Sequence, residues 1–396
     1  MDRLAVSMFD EVSSLMKEYS NRQYDLDWIK VIATLAVFVY HCLMFVNPFP
    51  WHVKNSELNS GGVLVASLLI GSWLMPIFFA VSGMSVFYAW QKRRGSSYLR
   101  ERLARLGIPL VFGVFILSPP QVFIERITRG QFNGSFFEFV PHYFDGLYLD
   151  IGGPGNFAFV GLHLWYVLVL LAFSFLTLPL FSKVSGGRNF QRFHFVLLPL
   201  SLICIGIIQT INLGGWDVLF YLLVFIYGYY FFSSPSFKPA IRSTIKLHGT
   251  TAVISSAVFI TWFMIDYPKP GTFSSMIFYA VHVLNGWSWL MCIFYLGDKY
   301  LSFSHRYLNY GSEASMPFYV LHQPIIVMIG FLIRDLPWTV PMKLSFLLIV
   351  SFLIIAVVYH FIIRRFFVLR LLFGMKGKKK ERQMPETESR SVNIHS

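Results

Sequence analysis

Ten apolar runs, each about long enough to cross a bilayer, decide what this chain can fold into. They cover residues 27–46, 62–90, 107–125, 161–182, 194–212, 216–232, 248–266, 274–296, 316–334 and 342–364. A helix needs roughly 20 apolar residues to span the hydrocarbon core, and inside it every backbone N–H and C=O must be satisfied within the segment. Charged residues make up 13% of the chain, where an ordinary soluble protein has about one quarter. The mean hydropathy is +0.57. No sustained series of short alternating segments speaks for a β-barrel. The expected fold is therefore an all-α polytopic membrane protein with about ten transmembrane helices. The second run is too long for a straight span and holds Gly71, Pro76 and Gly83, so a kink or a tilt is expected there. The fifth and sixth runs are separated only by Leu213-Gly214-Gly215, a tight reversal.

Ten spans return both termini to one side of the membrane. Outside the spans on the opposite side lie only Lys54, Arg126, Arg129, Lys269, Arg334 and Lys343, and Lys30 sits within the first run; the other 26 of the 33 lysines and arginines fall on the terminal side. Lysine and arginine accumulate in cytoplasmic loops, so both termini are expected in the cytoplasm and the membrane is expected to be the cell's inner (plasma) membrane. The net charge of +13 then reports orientation and does not call for nucleic acid. Residues 1–24 carry Leu4, Met8, Phe9, Val12, Leu15 and Met16 at helical spacing, the pattern of an amphipathic surface segment. Residues 25–366 form the transmembrane domain. Residues 367–396 form a basic cytoplasmic tail, expected to be disordered, whose Lys376–Arg382 cluster suits anionic lipid. Cys42, Cys204 and Cys292 fall inside apolar runs without metal-ligand spacing, so they read as buried small hydrophobes and no metal is expected.

Ionisable residues inside apolar runs are costly and usually face a cavity or a partner. Lys30 and His41 are eleven residues apart; at about 100° per residue this is three turns plus about 20°, so both lie on one face of a helix, roughly 16 Å apart along its axis. Asp27, one turn before Lys30, is placed to pair with it. A lone lysine there would snorkel to lipid phosphate and a lone histidine would satisfy a carbonyl; the shared face favours a function. His322 is a second intramembrane histidine, expected in the inner half of its span, with Pro324 freeing a backbone carbonyl nearby. Arg102 and Arg105, at i and i+3, point the same way and with Lys92, Arg93 and Arg94 make a cationic cluster suited to phosphate; a topogenic loop touching headgroups has the same charge. His163 and Trp165 open the fourth run and Trp51-His52 lies in the first outer loop, where aromatic belts occur anyway. The outer segment 126–160 has His142, Asp145, Asp150 and many aromatics, and its Asn133-Gly134-Ser135 fits a glycosylation sequon.

Taken together these stretches resemble the integral-membrane acyltransferase-3 family. Lys30 with His41 resembles its R-x10-H element, and Phe78-Phe79-Ala80-Val81-Ser82-Gly83 its FF-x-x-SG element. Arg102-Leu103-Ala104-Arg105 resembles its R-x-x-R element. His163-Leu164-Trp165-Tyr166 and Leu321-His322-Gln323-Pro324 resemble its HLWF/Y and LH-x-P elements. Trp51-His52-Val53 and Arg105-Leu106-Gly107-Ile108-Pro109 are most similar to the branch containing the glucan succinyltransferase. Lys30 departs from the usual arginine, keeping the charge and losing the bidentate fork.

The resemblance implies transfer of an acyl group from cytoplasmic acyl-CoA (acetyl-CoA or succinyl-CoA, a substrate and not a bound cofactor) to a hydroxyl of an extracytoplasmic glycan or polysaccharide. It implies His41 as the catalytic base and Lys30, Arg102 and Arg105 as acyl-CoA-binding residues. Asp27, Trp51, His163, Trp165 and His322 would be supporting or acceptor-side residues. Besides these substrates only membrane lipids are expected as partners. A secondary transporter or lipid flippase, with the histidines relaying protons, is the alternative from another class.

Overall fold

The computed structural model describes residues 22–59, 61–92 and 95–375. The amphipathic segment, Arg93, Arg94 and the Lys376–Arg382 cluster therefore lie outside the described residues, apart from the last residues before Tyr24. The described chain is helical apart from its loops and one two-stranded hairpin. Seven helices are long and apolar enough to cross a membrane: α1 (Tyr24–Met44), α2 (Gly62–Lys92), α3 (Ser96–Thr128), α9 (Phe237–Ile265), α10 (Phe273–Tyr300), α11 (Arg306–Ile333) and α12 (Val340–Ile363). Three shorter apolar helices stand between them in sequence: α5 (Leu162–Leu176), α7 (His194–Ile208) and α8 (Val218–Phe232). Helices α4 (Phe136–His142), α6 (Leu178–Lys183) and α13 (Phe367–Leu372) are short. Each apolar run thus overlaps a helix, and the fourth, 161–182, overlaps two, α5 and α6. The chain is a multi-pass membrane protein.

Ion pairs and hydrogen bonds show which helix ends lie together. Lys238 at the start of α9 bonds Asp25 of α1 at 2.7 Å, and Arg242 bonds Asp298 near the end of α10 at 2.6 Å. Glu313 near the start of α11 holds Arg364, just beyond α12, at 3.3 Å and Arg370 of α13 at 3.0 Å. Residues 367–375, the beginning of the stretch assigned to the tail, are thus folded onto the domain. At the opposite end, Lys343 of α12 is 2% exposed and reaches Asn55 at 2.8 Å and the Arg334 carbonyl at 2.6 Å. Lys54 there donates to the Met44 carbonyl at 2.6 Å and also to that of Asn47, satisfying the orphan acceptors at the end of α1.

Local chemistry explains the irregular stretches. Helix α2 continues through Pro76. Helix α3 winds as π-helix at Leu103–Gly107 and Gly113–Leu117, each time just before prolines (Pro109; Pro119 and Pro120) whose missing N–H groups break the i→i−4 ladder. The reversal between α7 and α8 is a hairpin, Asn212–Leu213 against Trp216–Asp217, with Gly214 and Gly215 at φ of 61° and 93°. Helices α2 and α8 cross where neither can carry a side chain. A Cβ on Gly83 would lie 2.0 Å from the Phe225 carbonyl oxygen, and one on Gly228 2.2 Å from that of Ala80. Two cysteines are buried as expected, but Cys204 is exposed, because its face of α7 turns away from the bundle.

Candidate active site

Three histidines from three helices meet in the bundle. His41 of α1 and His322 of α11 stack with ring centroids 4.8 Å apart and 9° between planes, and His41 Nδ1 lies 2.7 Å from His322 Nε2. His163 of α5 meets His322 edge-on at 5.0 Å. Trp51, 7% exposed, packs on His41 at 5.0 Å. His322 therefore sits at the depth of His41 and not in the inner half of its span: sixteen residues separate it from Arg306, where α11 begins, and His41 lies seventeen beyond Tyr24.

The hydrogen bonds fix the tautomers. His322 Nδ1 is 2.5 Å from the Tyr319 carbonyl oxygen, which only accepts, so His322 carries its proton on Nδ1. Its Nε2 then has a lone pair and accepts from His41 Nδ1–H. In the neutral pair, His41 is left with an unprotonated Nε2 that has no hydrogen-bond partner among the described residues. His41 is partly exposed, whereas His322 is 1% exposed. The pair thus presents one basic nitrogen, with the second imidazole and a carbonyl behind it to orient the ring and share developing charge.

Pro324 explains the third histidine. Lacking an N–H, it leaves the Val320 carbonyl without its helical donor, and His163 Nε2 fills that vacancy at 3.2 Å. In return the Tyr319 hydroxyl donates to the His163 carbonyl. The start of α5 is locked to the turn of α11 that carries His322. His163 Nδ1 is buried without a partner among the described residues.

Below the histidines lies a cavity of about 300 Å³. Lys30, Arg102 and Arg105 line its rim, each part-exposed or, for Arg102, stacked over Tyr98 at 5.2 Å. Lys30 pairs with Asp27 at 3.8 Å, as its spacing predicted, while Asp27 also holds Arg22 at 2.9 Å. Glu101 lies 3.8 Å from Arg105. Gly374, following α13, closes one side; its φ is +70° and a Cβ there would lie 2.6 Å from the Arg105 carbonyl oxygen. The walls are Ala33, Ile77, Val81 and Leu170, and the far end is Phe78, Tyr166 and Tyr319. The Tyr166 hydroxyl bonds Ser82 Oγ at 2.8 Å. Tyr166 and Tyr319 each stand one helical turn short of a histidine, so the cavity ends on an aromatic layer directly beneath the His41–His322 pair.

The structure thus brings His41, Trp51, His163 and His322 together, and gathers Asp27, Lys30, Arg102 and Arg105 at the cavity rim. It leaves Trp165 apart, packed on Phe79 and Tyr221 beside the hairpin at Gly214. Sequence reasoning passed over Glu125 entirely. This carboxylate, fully buried at the end of α3, is 2.5 Å from His52 Nδ1, 2.8 Å from the Tyr148 hydroxyl and 2.7 Å from the Gly152 amide. Its only signal was an acid within an otherwise apolar run. In the outer segment Ser135, the sequon's third residue, caps α4 in a reciprocal capping box with Glu138.

A helical membrane bundle with a cation-rimmed cavity that ends on a tyrosine layer, beneath an oriented imidazole pair, suits a membrane-embedded group-transfer protein. The acyltransferase-3 model, described as an acyltransferase domain, matches residues 23–360: the chain belongs to that family and is a membrane acyltransferase. It is 23% identical over 385 residues to glucans biosynthesis protein C of Escherichia coli strain K12, covering 90% of this chain and 95% of the relative. The proteins of the same name from E. coli O157:H7 and O81 (strain ED1a) match equally. No solved structure matches the chain.

Proposed function

We propose that the protein is an O-acyltransferase that moves an acetyl or succinyl group from cytoplasmic acyl-CoA to a hydroxyl of an extracytoplasmic glycan in the cell's inner membrane. The observation that carries this reading is the single free nitrogen of His41, oriented by His322, above a cation-rimmed cavity. Lys30, Arg102 and Arg105 suit the nucleotide phosphates of the donor, and the apolar walls suit its pantetheine arm. The acyl end would pass the Tyr166–Tyr319 layer to reach His41, and the acceptor would enter from the Trp51 side. His41 Nε2 takes the hydroxyl proton as the acceptor oxygen attacks the thioester carbonyl. The tetrahedral intermediate collapses, the C–S bond breaks, and the imidazolium returns the proton to the departing thiolate. His322 holds the ring and stabilises its transient charge.

Protein reconstituted in vesicles and fed labelled acetyl-CoA or succinyl-CoA with glucan oligosaccharides tests the reading. Labelled glycan should form with the wild type and be lost in folded His41→Ala. Label found on His41 by mass spectrometry would replace direct attack with an acyl-histidine route. Glycan or lipid accumulating without acyl transfer would replace the enzyme with a transporter.

A further inference from the structure

A second buried polar cluster lies on the Trp51 side of the histidine pair, and the mechanism above makes no use of it. Its members come from four parts of the chain: Gln121 and Glu125 of α3, His52 of the loop after α1, Tyr148 and Gly152 of the outer segment, and Gln323 of α11. Gln121, Glu125 and Gln323 are at most 1% exposed and His52 is 4% exposed. Burying so many polar groups is costly unless each is satisfied, and here the partners dictate one another.

The order of protons follows from one end. The Leu117 carbonyl only accepts, so Gln121 presents its Nε2 there, at 2.7 Å. Gln121 Oε1 then faces Gln323 Nε2 at 3.1 Å. The second hydrogen of that same Gln323 amide points to His52 Nε2, also at 3.1 Å. His52 Nε2 must therefore hold a lone pair, and its proton sits on Nδ1, donated to Glu125 Oε2. Glu125 closes the chain as an ionised acceptor. Its Oε2 also accepts from Tyr148, its Oε1 from the Gly152 amide, and Arg126 and Arg129 lie 3.6 and 3.9 Å from Oε1. With both ring nitrogens engaged, His52 is a strut and not a spare base.

What the strut holds is the active site. His52 adjoins Trp51, whose ring packs on His41 and whose carbonyl accepts from Arg129 at 3.2 Å. Gln323 adjoins His322. One chain of hydrogen bonds therefore clamps the residue beside Trp51 and the residue beside His322, both of which pack on His41, and ties them to the outer segment.

We propose that Glu125 is a positioning residue for acyl transfer: acting through His52 and Gln323, it holds Trp51 and His322 in register on His41. This rests on the acyltransferase reading above. Glu125→Gln keeps the shape but turns one of the two acceptor oxygens into an NH2, which must face either the His52 Nδ1–H or the Gly152 N–H, so the cluster can no longer satisfy every member at once. Gln323→Leu cuts the same chain without touching the buried charge.

The test uses the full-length protein in vesicles with acetyl-CoA or succinyl-CoA and glucan oligosaccharides. In both variants kcat should fall by about tenfold or more, the cost of a misplaced base, while the apparent KM for acyl-CoA stays within about twofold. A purely structural role would lower the active fraction and the melting temperature with kcat per folded molecule unchanged, and that result overturns the proposal. So does a KM effect alone. If Glu125→Gln does not fold, Gln323→Leu decides. A readout independent of turnover separates this proposal from the enzymatic one. Carbethoxylation of His41 by diethylpyrocarbonate, followed by peptide mass spectrometry, should accelerate several-fold in both variants over wild type. An unchanged rate overturns the positioning role even if no acyl transfer is ever seen.

Discussion

At the scale of single residues, the basicity of His41 is decided by a carbonyl it does not touch. The Tyr319 oxygen sets the His322 tautomer, and that tautomer sets which nitrogen of His41 is free. Replacing His322 with Phe strands the His41 Nδ1–H and releases the ring, so acyl transfer should drop by about 10²- to 10⁴-fold, the usual worth of a general base. His322→Phe should then approach the loss in His41→Ala when kcat is measured on folded protein. His163 acts differently: His163→Phe orphans the Val320 carbonyl, which costs about 1–3 kcal/mol of stability. Its defect should appear first in thermal melting. Both His41 and His322 could be singled out in the sequence, because a histidine inside an apolar run is costly. Their contact could not, since 281 residues separate them and a helical wheel describes one helix only. Glu125 was hidden for a related reason. In Phe123-Ile124-Glu125-Arg126 it reads as an interfacial acid beside an arginine, and only the fold turns it inward against His52.

At the scale of elements, quoted motifs turn out to be packing devices as well as chemistry. In Ser82-Gly83 the serine anchors Tyr166 at the cavity end, and the glycine lets α8 lie backbone to backbone on α2. A Cβ at position 83 would meet a carbonyl that cannot swing away, so Gly83→Ala should destabilise the bundle by about 1–3 kcal/mol or prevent its assembly. Thermal unfolding in detergent measures this. Helix α4 offers a pH test. The Ser135 amide and hydroxyl donate to Glu138 at 2.6 and 3.0 Å and hold its carboxyl below the usual range. A carboxyl depressed in the folded state contributes stability above its ordinary pKa, about 4.3, and loses it as the pH falls through the lower folded value. Amide protection of α4 should therefore decline on acidification below about pH 4.3, and Ser135→Ala should remove most of that dependence. Hydrogen exchange across this range reads both. The apolar runs located these helices because twenty-residue hydrophobicity is a strong, local signal. The π-turns of α3 and the brevity of α5, α7 and α8 arise from prolines and from contacts between helices, which run lengths do not encode.

At the scale of the whole molecule, the two ends carry their charges differently. At the Lys30 end, cations line an open cavity rim. At the other end they are consumed within the protein: Lys54 on carbonyls, Lys343 on Asn55 and a carbonyl, Arg126 and Arg129 around Glu125. The face that carries these rim cations, with Lys30 beside Asp27 and Arg105 beside Glu101, is the one that would lie in the cytoplasm, where both phosphate-rich donor and anionic lipid are found. Helix α10 provides the test, because exposed loops flank it: Lys269 precedes it and Ser304 follows it, on opposite ends. With Cys42, Cys204 and Cys292 replaced by serine or alanine, Lys269→Cys should react with a membrane-impermeant maleimide in intact cells, and Ser304→Cys only after permeabilisation. The reverse pattern would place the cavity rim outside the cell. Acyl-CoA from the cytoplasm could then not reach Lys30, Arg102 and Arg105, and the direction of transfer proposed here would fail with it.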